Sequence, residues 1–196
     1  MRNCDIIKKR KKNLISVKEI NEFINKITQI KKGDFSELIS KTRDVFDARL
    51  VSYTSRTQNW LLGAVIGEIG ANTFDHNFSF RTEVPKGVFC DFDSNPGYIF
   101  LCDFGVGLKT TLSRVLKEID DDSKAIETAF TKPISGRAPE MRGNGLKFVI
   151  KSVVENQWNL FFQSGNAVCN ADKNGYSFEK SDYNHDGCFC IISCKE

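Results

Sequence analysis

The chain has 196 residues, enough for one domain with a substantial hydrophobic core. Its 40% hydrophobic and 27% charged residues are those of an ordinary globular protein, and a net charge of +3, gathered largely in Lys8, Lys9, Arg10, Lys11 and Lys12, creates no demand for a nucleic-acid partner. No apolar run approaches the roughly 18 residues of a membrane span, and no signal-peptide core follows the basic start, so a cytoplasmic protein with no membrane partner is expected.

In chain order, residues 1–15 are expected to be a basic disordered tail. Ser16-Val17-Lys18-Glu19 is a capping box, and Ile20, Phe23, Ile24, Ile27 and Ile30 continue at helical spacing to Gly33. Asp34 to Glu37 repeats the signature and opens a second expected helix through Leu38, Ile39, Val45, Phe46 and Leu50. Residues 16–56 thus read as a helical appendage, suited to packing on its own domain, on a partner or on a second copy of the chain.

Leu61 to Asn77 reads as one helix, on which 100° per residue puts Glu68, Asn72 and Asp75 in a narrow stripe with His76 at its edge. Leu62, Ile66, Ile69 and Thr73 form a second stripe, while Gly63, Gly67 and Gly70 leave a third side nearly bare. A solvated polar face is the ordinary meaning of such a stripe; a functional set of two carboxylates and an amide is the alternative.

Gly87 to Phe92 and Tyr98 to Cys102 are strand-like runs joined by the turn signal Ser94-Asn95-Pro96-Gly97, which predicts an antiparallel hairpin. Asp103-Phe104-Gly105-Val106-Gly107-Leu108 follows, then two short helical patterns, Thr110 to Ile119 and Ser123 to Phe130. From Thr131 the composition is that of a loop, ending in Arg142-Gly143-Asn144-Gly145-Leu146 at the start of a helix through Val149, Ile150 and Val153. Asn159 to Gln163, Ala167 to Asn170 and Gly187 to Cys194 are strand-like, separated by polar stretches. The expected fold class is α+β: a two-layer α/β sandwich, with a mostly antiparallel sheet covered by helices on one face.

The seven cysteines are odd in number and mostly embedded in apolar runs, as reduced core residues are. Cys188, Cys190 and Cys194 would share a strand face, but no CxxC pair or nearby histidine completes a zinc set.

Glu68-Ile69-Gly70-Ala71-Asn72 on a helix, Asp103-x-Gly105-x-Gly107 after a strand and Gly143-x-Gly145-Leu146 at a helix start together resemble the GHKL superfamily, which includes DNA gyrase, a heat-shock chaperone, histidine kinases and mismatch-repair ATPases. The resemblance covers roughly Gln58 to Cys194 and implies a Bergerat-type ATP-binding domain over residues 57–196, with ATP and Mg2+ as its ligands. Asn72 matches the family's magnesium-binding asparagine, a neutral oxygen ligand beside phosphate oxygens and water. Glu68, one turn earlier, matches the general base that activates water toward the γ-phosphate. Asp103 matches the acceptor for the adenine amino group, with Gly105 and Gly107 admitting close backbone approach to the base and ribose. Asp75 would support the adenine end through water. Arg142, Gly143, Asn144, Gly145 and Leu146 would receive phosphate at a helix start, where unpaired amides face an anion, and Arg137 and Lys147 could add charge. Cys188, following Gly187, departs from the glycine-threonine that often opens the family's final strand.

Other nucleotide motifs fail. Asp103-Phe104-Gly105 lacks the catalytic loop and strand lysine of protein kinases. Leu108 intrudes between glycine and lysine of a P-loop, and no parallel βαβ unit surrounds the glycines. The leading expectation is a small stand-alone ATPase whose ATP/ADP state regulates a protein partner, with Lys109 to Arg142 as a mobile lid. The alternatives are a serine protein kinase of the anti-sigma-factor type and a non-hydrolysing nucleotide-sensing module. Neither His76 nor His185 has the context of a kinase phosphoacceptor, and a homodimer stays open.

Overall fold

The computed structural model describes residues 15–32, 36–77, 87–92, 97–133 and 144–194. Cys4, nearly all of the basic tail, the turn residues Ser94, Asn95 and Pro96, and Arg137, Arg142 and Gly143 lie outside the described residues. Among the described residues, five strands, β1 (Ile39–Ser40), β2 (Val88–Asp91), β3 (Tyr98–Cys102), β4 (Asn159–Asp172) and β5 (Gly175–Ser193), pair antiparallel in the order β1-β2-β3-β5-β4. The helices are α1 (Val17–Lys31), α2 (Arg43–Thr57), α3 (Trp60–Asn72), α4 (Gly107–Leu112), α5 (Asp122–Thr131) and α6 (Gly145–Glu155).

The inner strands carry apolar side chains on both faces, so each face needs a cover. Val88, Cys90, Ile99, Leu101, Leu160, Phe162, Cys190 and Ile192 face a core shared with residues of α2, α3, α5 and α6. Phe89, Phe100, Cys102, Phe161, Phe189 and Ile191 face the other way, against Phe23, Ile27 and Ile30 of α1. Phe23 stacks on Phe100 with ring centroids 5.0 Å apart. Helices therefore cover both faces, not one as expected, and residues 16–56 contribute to both layers. The expected capping box is present: the Ser16 hydroxyl accepts from Glu19 N at 3.3 Å, and Ser16 N donates to the Glu19 carboxylate at 2.7 Å. Lys26 pairs with buried Asp91, and Tyr98 donates to Glu19, fixing α1 along the sheet.

Several boundaries differ from expectation. Ile39 and Ser40, assigned to a helix by the sequence, pair with Phe89 and Val88 as an edge strand. Arg49 of α2 holds them there by donating to Leu38 O at 2.7 Å, Ser40 Oγ at 3.2 Å and Cys90 O at 2.9 Å. The expected helix Thr110 to Ile119 begins at Gly107 and ends at Leu112. The described part of the expected lid is anchored, because Ala125, Ile126 and Phe130 of α5 are buried and Phe130 meets Phe162 at 5.2 Å. The polar stretch before Gly187 is a strand: Asp172 accepts from Asn174 N at 2.7 Å across a tight turn, and β5 runs back from Gly175.

Cys90, Cys102, Cys169, Cys188, Cys190 and Cys194 are free thiols, all but Cys194 buried. Burial pushes Cys90, Cys169 and Cys194 up to about 12 and raises Cys190 as well. Only the thiolate alkylates, so at pH 8 iodoacetamide is expected to leave these four unmodified in the native protein and to label them after denaturation, as peptide mass spectrometry would read. Their folded values lie above the unfolded value of about 8.5. The stability they contribute is complete below that pH and is lost as pH rises toward 12, so urea midpoints should fall above about pH 9.

Candidate functional site

Asp103 leaves the sheet at the end of β3 and is 2% exposed. Its Oδ1 accepts from Gly105 N at 2.8 Å and from Cys188 N at 3.2 Å, while Oδ2 accepts from the Thr73 hydroxyl at 2.9 Å. Its main chain is fixed too: Asp103 N donates to Cys188 O at 2.8 Å, and His185 Nε2 lies 2.8 Å from Asp103 O. Gly187, at φ 104°, takes a backbone conformation suited to glycine. A Cβ there would lie 2.4 Å from Asp103 O and 2.6 Å from Oδ1. The end of β3 and the Gly187 bend of β5 thus close around one carboxylate.

Thr73 ends the buried stripe of Leu62, Ile66 and Ile69 on α3 and meets Asp103 there, but beyond it α3 does not continue as the expected regular helix. A π turn, Thr73–Asn77, widens its end, and such turns shift side chains out of the 100° register. Thr73 is buried against Asp103, and Asp75 pairs with Arg43 at the start of α2. The predicted stripe therefore divides: Glu68 is exposed, Asn72 is half-buried, and the Asp75 carboxylate meets α2. The side chain of His76 lies outside what is described.

The bare side of α3 is where α2 packs. A Cβ on Gly63 would lie 2.1 Å from Thr54 Cγ2, and one on Gly70 would lie 2.1 Å from Phe46 Cζ. At Gly67 the nearest neighbour is Leu50 Cδ2, at 3.4 Å. The glycines let two helix backbones approach where side chains would hold them apart.

At the start of α6, Asn144 is the N-cap residue without a side-chain cap bond, and Leu146 is buried. First-turn amides without such a cap suit an anion. A Cβ on Gly145 would lie 2.4 Å from Glu68 Oε2, so the Glu68 carboxylate sits against this helix start. Residues 68 and 145, distant in sequence, are neighbours, as are Thr73 and Asp103.

Gly107, at φ 76°, serves the protein's own packing. A Cβ there would come within 3.0 Å of Ser164 Oγ, and the same hydroxyl accepts from Leu108 N at 2.9 Å. Thr73, Ser164 and His185 are site residues that motif reading does not reveal, whereas Gly187 stood out as the glycine before Cys188. For Thr73 the available signal was a lone polar residue in an apolar stripe; for Ser164 and His185 none was visible.

Among the described residues, no group of three or more His, Cys, Asp or Glu is arranged to hold a metal ion, and no helix is long and apolar enough to cross a membrane. No protein-family model matches the chain, and no curated protein matches it significantly.

The Asp103 network makes a stability prediction of its own. Asp103→Ala strips acceptors from two buried amides and is expected to cost about 1–3 kcal/mol for each. Asp103→Asn retains a carbonyl at the Oδ1 position, and the Thr73 hydroxyl can rotate to accept from the new amide. Urea denaturation should therefore show Asn far closer to wild type than Ala.

Proposed function

We propose that this chain is a Bergerat-type domain of the GHKL kind that binds Mg-ATP at the corner between α3, the end of β3 and the start of α6. In this reading it hydrolyses ATP, and its nucleotide state regulates a protein partner. The observation that carries the reading is the junction of the motif pieces: Glu68 lies against Gly145, and Thr73 of the same helical segment bonds Asp103. An acid, an amide, a phosphate-suited helix start and a base-reading carboxylate thereby share one corner.

Each residue then has a task. Asp103, with the Thr73 hydroxyl on Oδ2, presents an acceptor and a hydroxyl toward the adenine edge. The α6 start at Asn144, Gly145 and Leu146 receives phosphate charge, with Arg142 and Gly143 assigned there by the motif. Glu68, against that helix start, accepts the proton of the attacking water. Gly105 supplies an amide that holds Asp103, and Asp75, through Arg43, ties the end of α3 to α2.

The donor set also fits magnesium in one particular way. With no carboxylate cluster among the described residues, Asn72 would be the protein's ligand, one neutral oxygen on an ion otherwise coordinated by phosphate and water. When bound, magnesium would offset the charge of the triphosphate. Half-buried Asn72 would orient it one turn from Glu68.

Calorimetry and phosphate release test the proposal together. Mg-ATP should give a binding isotherm and release phosphate, MgCl2 alone should give no binding heat, and Asp103→Asn should weaken ATP by about tenfold or more. A folded wild-type protein with no nucleotide binding would overturn the assignment. Binding without phosphate release would leave a nucleotide-sensing module in its place.

A further inference from the structure

The irregular middle of the β4–β5 hairpin has no task in the nucleotide reading above. Cys188 pairs with Ser164, but the next partners are His185 with Gly165 and then Lys180 with Ala167. β5 therefore carries extra residues on each side of His185, and it departs from the regular ladder beside Asp103. Bulges of this sort re-aim a side chain and recur next to active sites. Gln163, fully buried, stabilises the irregularity by donating to Gly165 O at 2.9 Å and to Tyr183 O.

The side chain thus re-aimed is His185. It is 1% exposed, with Phe189 at 5.1 Å and Phe104 at 5.6 Å between ring centroids. Its Nε2 lies 2.8 Å from Asp103 O. A carbonyl oxygen only accepts, so Nε2 carries the proton and donates. The Cys102 thiol also points at this oxygen, at 3.8 Å, and Gly187 is pressed against it.

We infer that His185 is a positioning residue that sets the direction of the Asp103 carboxylate and, through it, the selection of adenine over guanine. This rests on the nucleotide reading of the corner. The direction of the carboxylate depends both on its side-chain torsions and on the Cα from which it projects, and that Cα is placed by the peptide that carries Asp103 O. His185 holds that peptide at its carbonyl, while Gly105 N and Cys188 N hold the carboxylate itself. Without the Nε2 donor, Asp103 O is a buried acceptor that has lost a positioned partner, and the peptide gains freedom to rotate.

Two substitutions separate the hydrogen bond from the bulk of the ring. His185→Phe keeps an aromatic ring without the donor, and His185→Gln keeps a donor near the Nε2 position. Calorimetry with Mg-ATP and Mg-GTP should show His185→Phe weakening ATP by about tenfold and narrowing the ATP-over-GTP preference, with His185→Gln restoring both toward wild type. Hydrogen exchange of the unligated protein should show faster exchange at Gly105 N and Cys188 N in His185→Phe, with protection kept in β4 between Leu160 and Gln163. Unchanged affinity and preference in His185→Phe would overturn the assignment, as would equal losses in both variants or loss of protection throughout the sheet. No nucleotide binding by folded wild-type protein would overturn this inference together with the reading on which it rests; binding by wild type with an unaffected His185→Phe would overturn the inference alone.

Discussion

Under the proposed ATPase function, replacing Glu68 by glutamine is expected to lower ATP turnover by about 10²- to 10⁴-fold, the range contributed by a positioned general base, while Mg-ATP affinity stays within a few-fold of wild type. Glutamine has the same shape and keeps an oxygen, but it cannot take a proton at neutral pH. The site favours this separation of effects. Glu68 is exposed on α3, and its carboxylate lies against Gly145 at the start of α6. Loss of its charge removes a favourable helix-end interaction of about 0.3–1 kcal/mol at most, so the variant should fold. Single-turnover phosphate release and calorimetry on the same sample give the two readouts. Equal turnover in the variant and wild type would remove Glu68 from the chemistry.

A second large effect, on stability, should come from the opposite face of the same helix. Gly70→Ala adds a methyl group 2.1 Å from Phe46 Cζ and 2.6 Å from Cε1, on a ring that is fully buried. Alanine would gain about 1 kcal/mol in helix propensity, but overpacking a rigid core position costs about 1–3 kcal/mol or more. Because the overlap falls on several ring atoms, a net loss of about 2 kcal/mol is expected, and Gly70→Val should lose more. Gly67→Ala is the internal control. Its new methyl group would meet only the tip of Leu50 at 3.4 Å, so the propensity term wins and stability should hold or rise. Thermal and urea midpoints of the two alanine variants should move in opposite directions.

These two predictions concern faces of α3 that differed in how clearly the sequence displayed them. The glycine face was visible as a pattern, since Gly63, Gly67 and Gly70 recur at helical spacing, but its meaning required the neighbour. Only with Thr54, Leu50 and Phe46 of α2 in contact does the bare side become a close helix crossing. The polar face was clear as far as Asn72. Beyond it, the π turn at Thr73–Asn77 interrupts the 100° register, and the Asp75 carboxylate pairs with Arg43 of α2. No local composition announces that turn, because the contacts that accompany it come from distant parts of the chain.

The sequence by itself determined what depends on near neighbours. The capping box at Ser16, the apolar strands around Phe89 and Leu101, the helical spacing of α6 and the glycine motifs are short-range patterns in which backbone preference and side-chain type coincide. Those patterns were sufficient for an α+β chain and for a set of candidate residues. Tertiary structure decided what depends on register and partner. It put α1 on the second sheet face, drew Ile39 and Ser40 into the edge strand through Arg49, and bent β5 so that His185 lies beneath Asp103. It also brought Glu68 against Gly145. Each of these rests on a contact between residues far apart in the chain, whose free energy comes from burial and hydrogen bonding that exist only once the elements have packed.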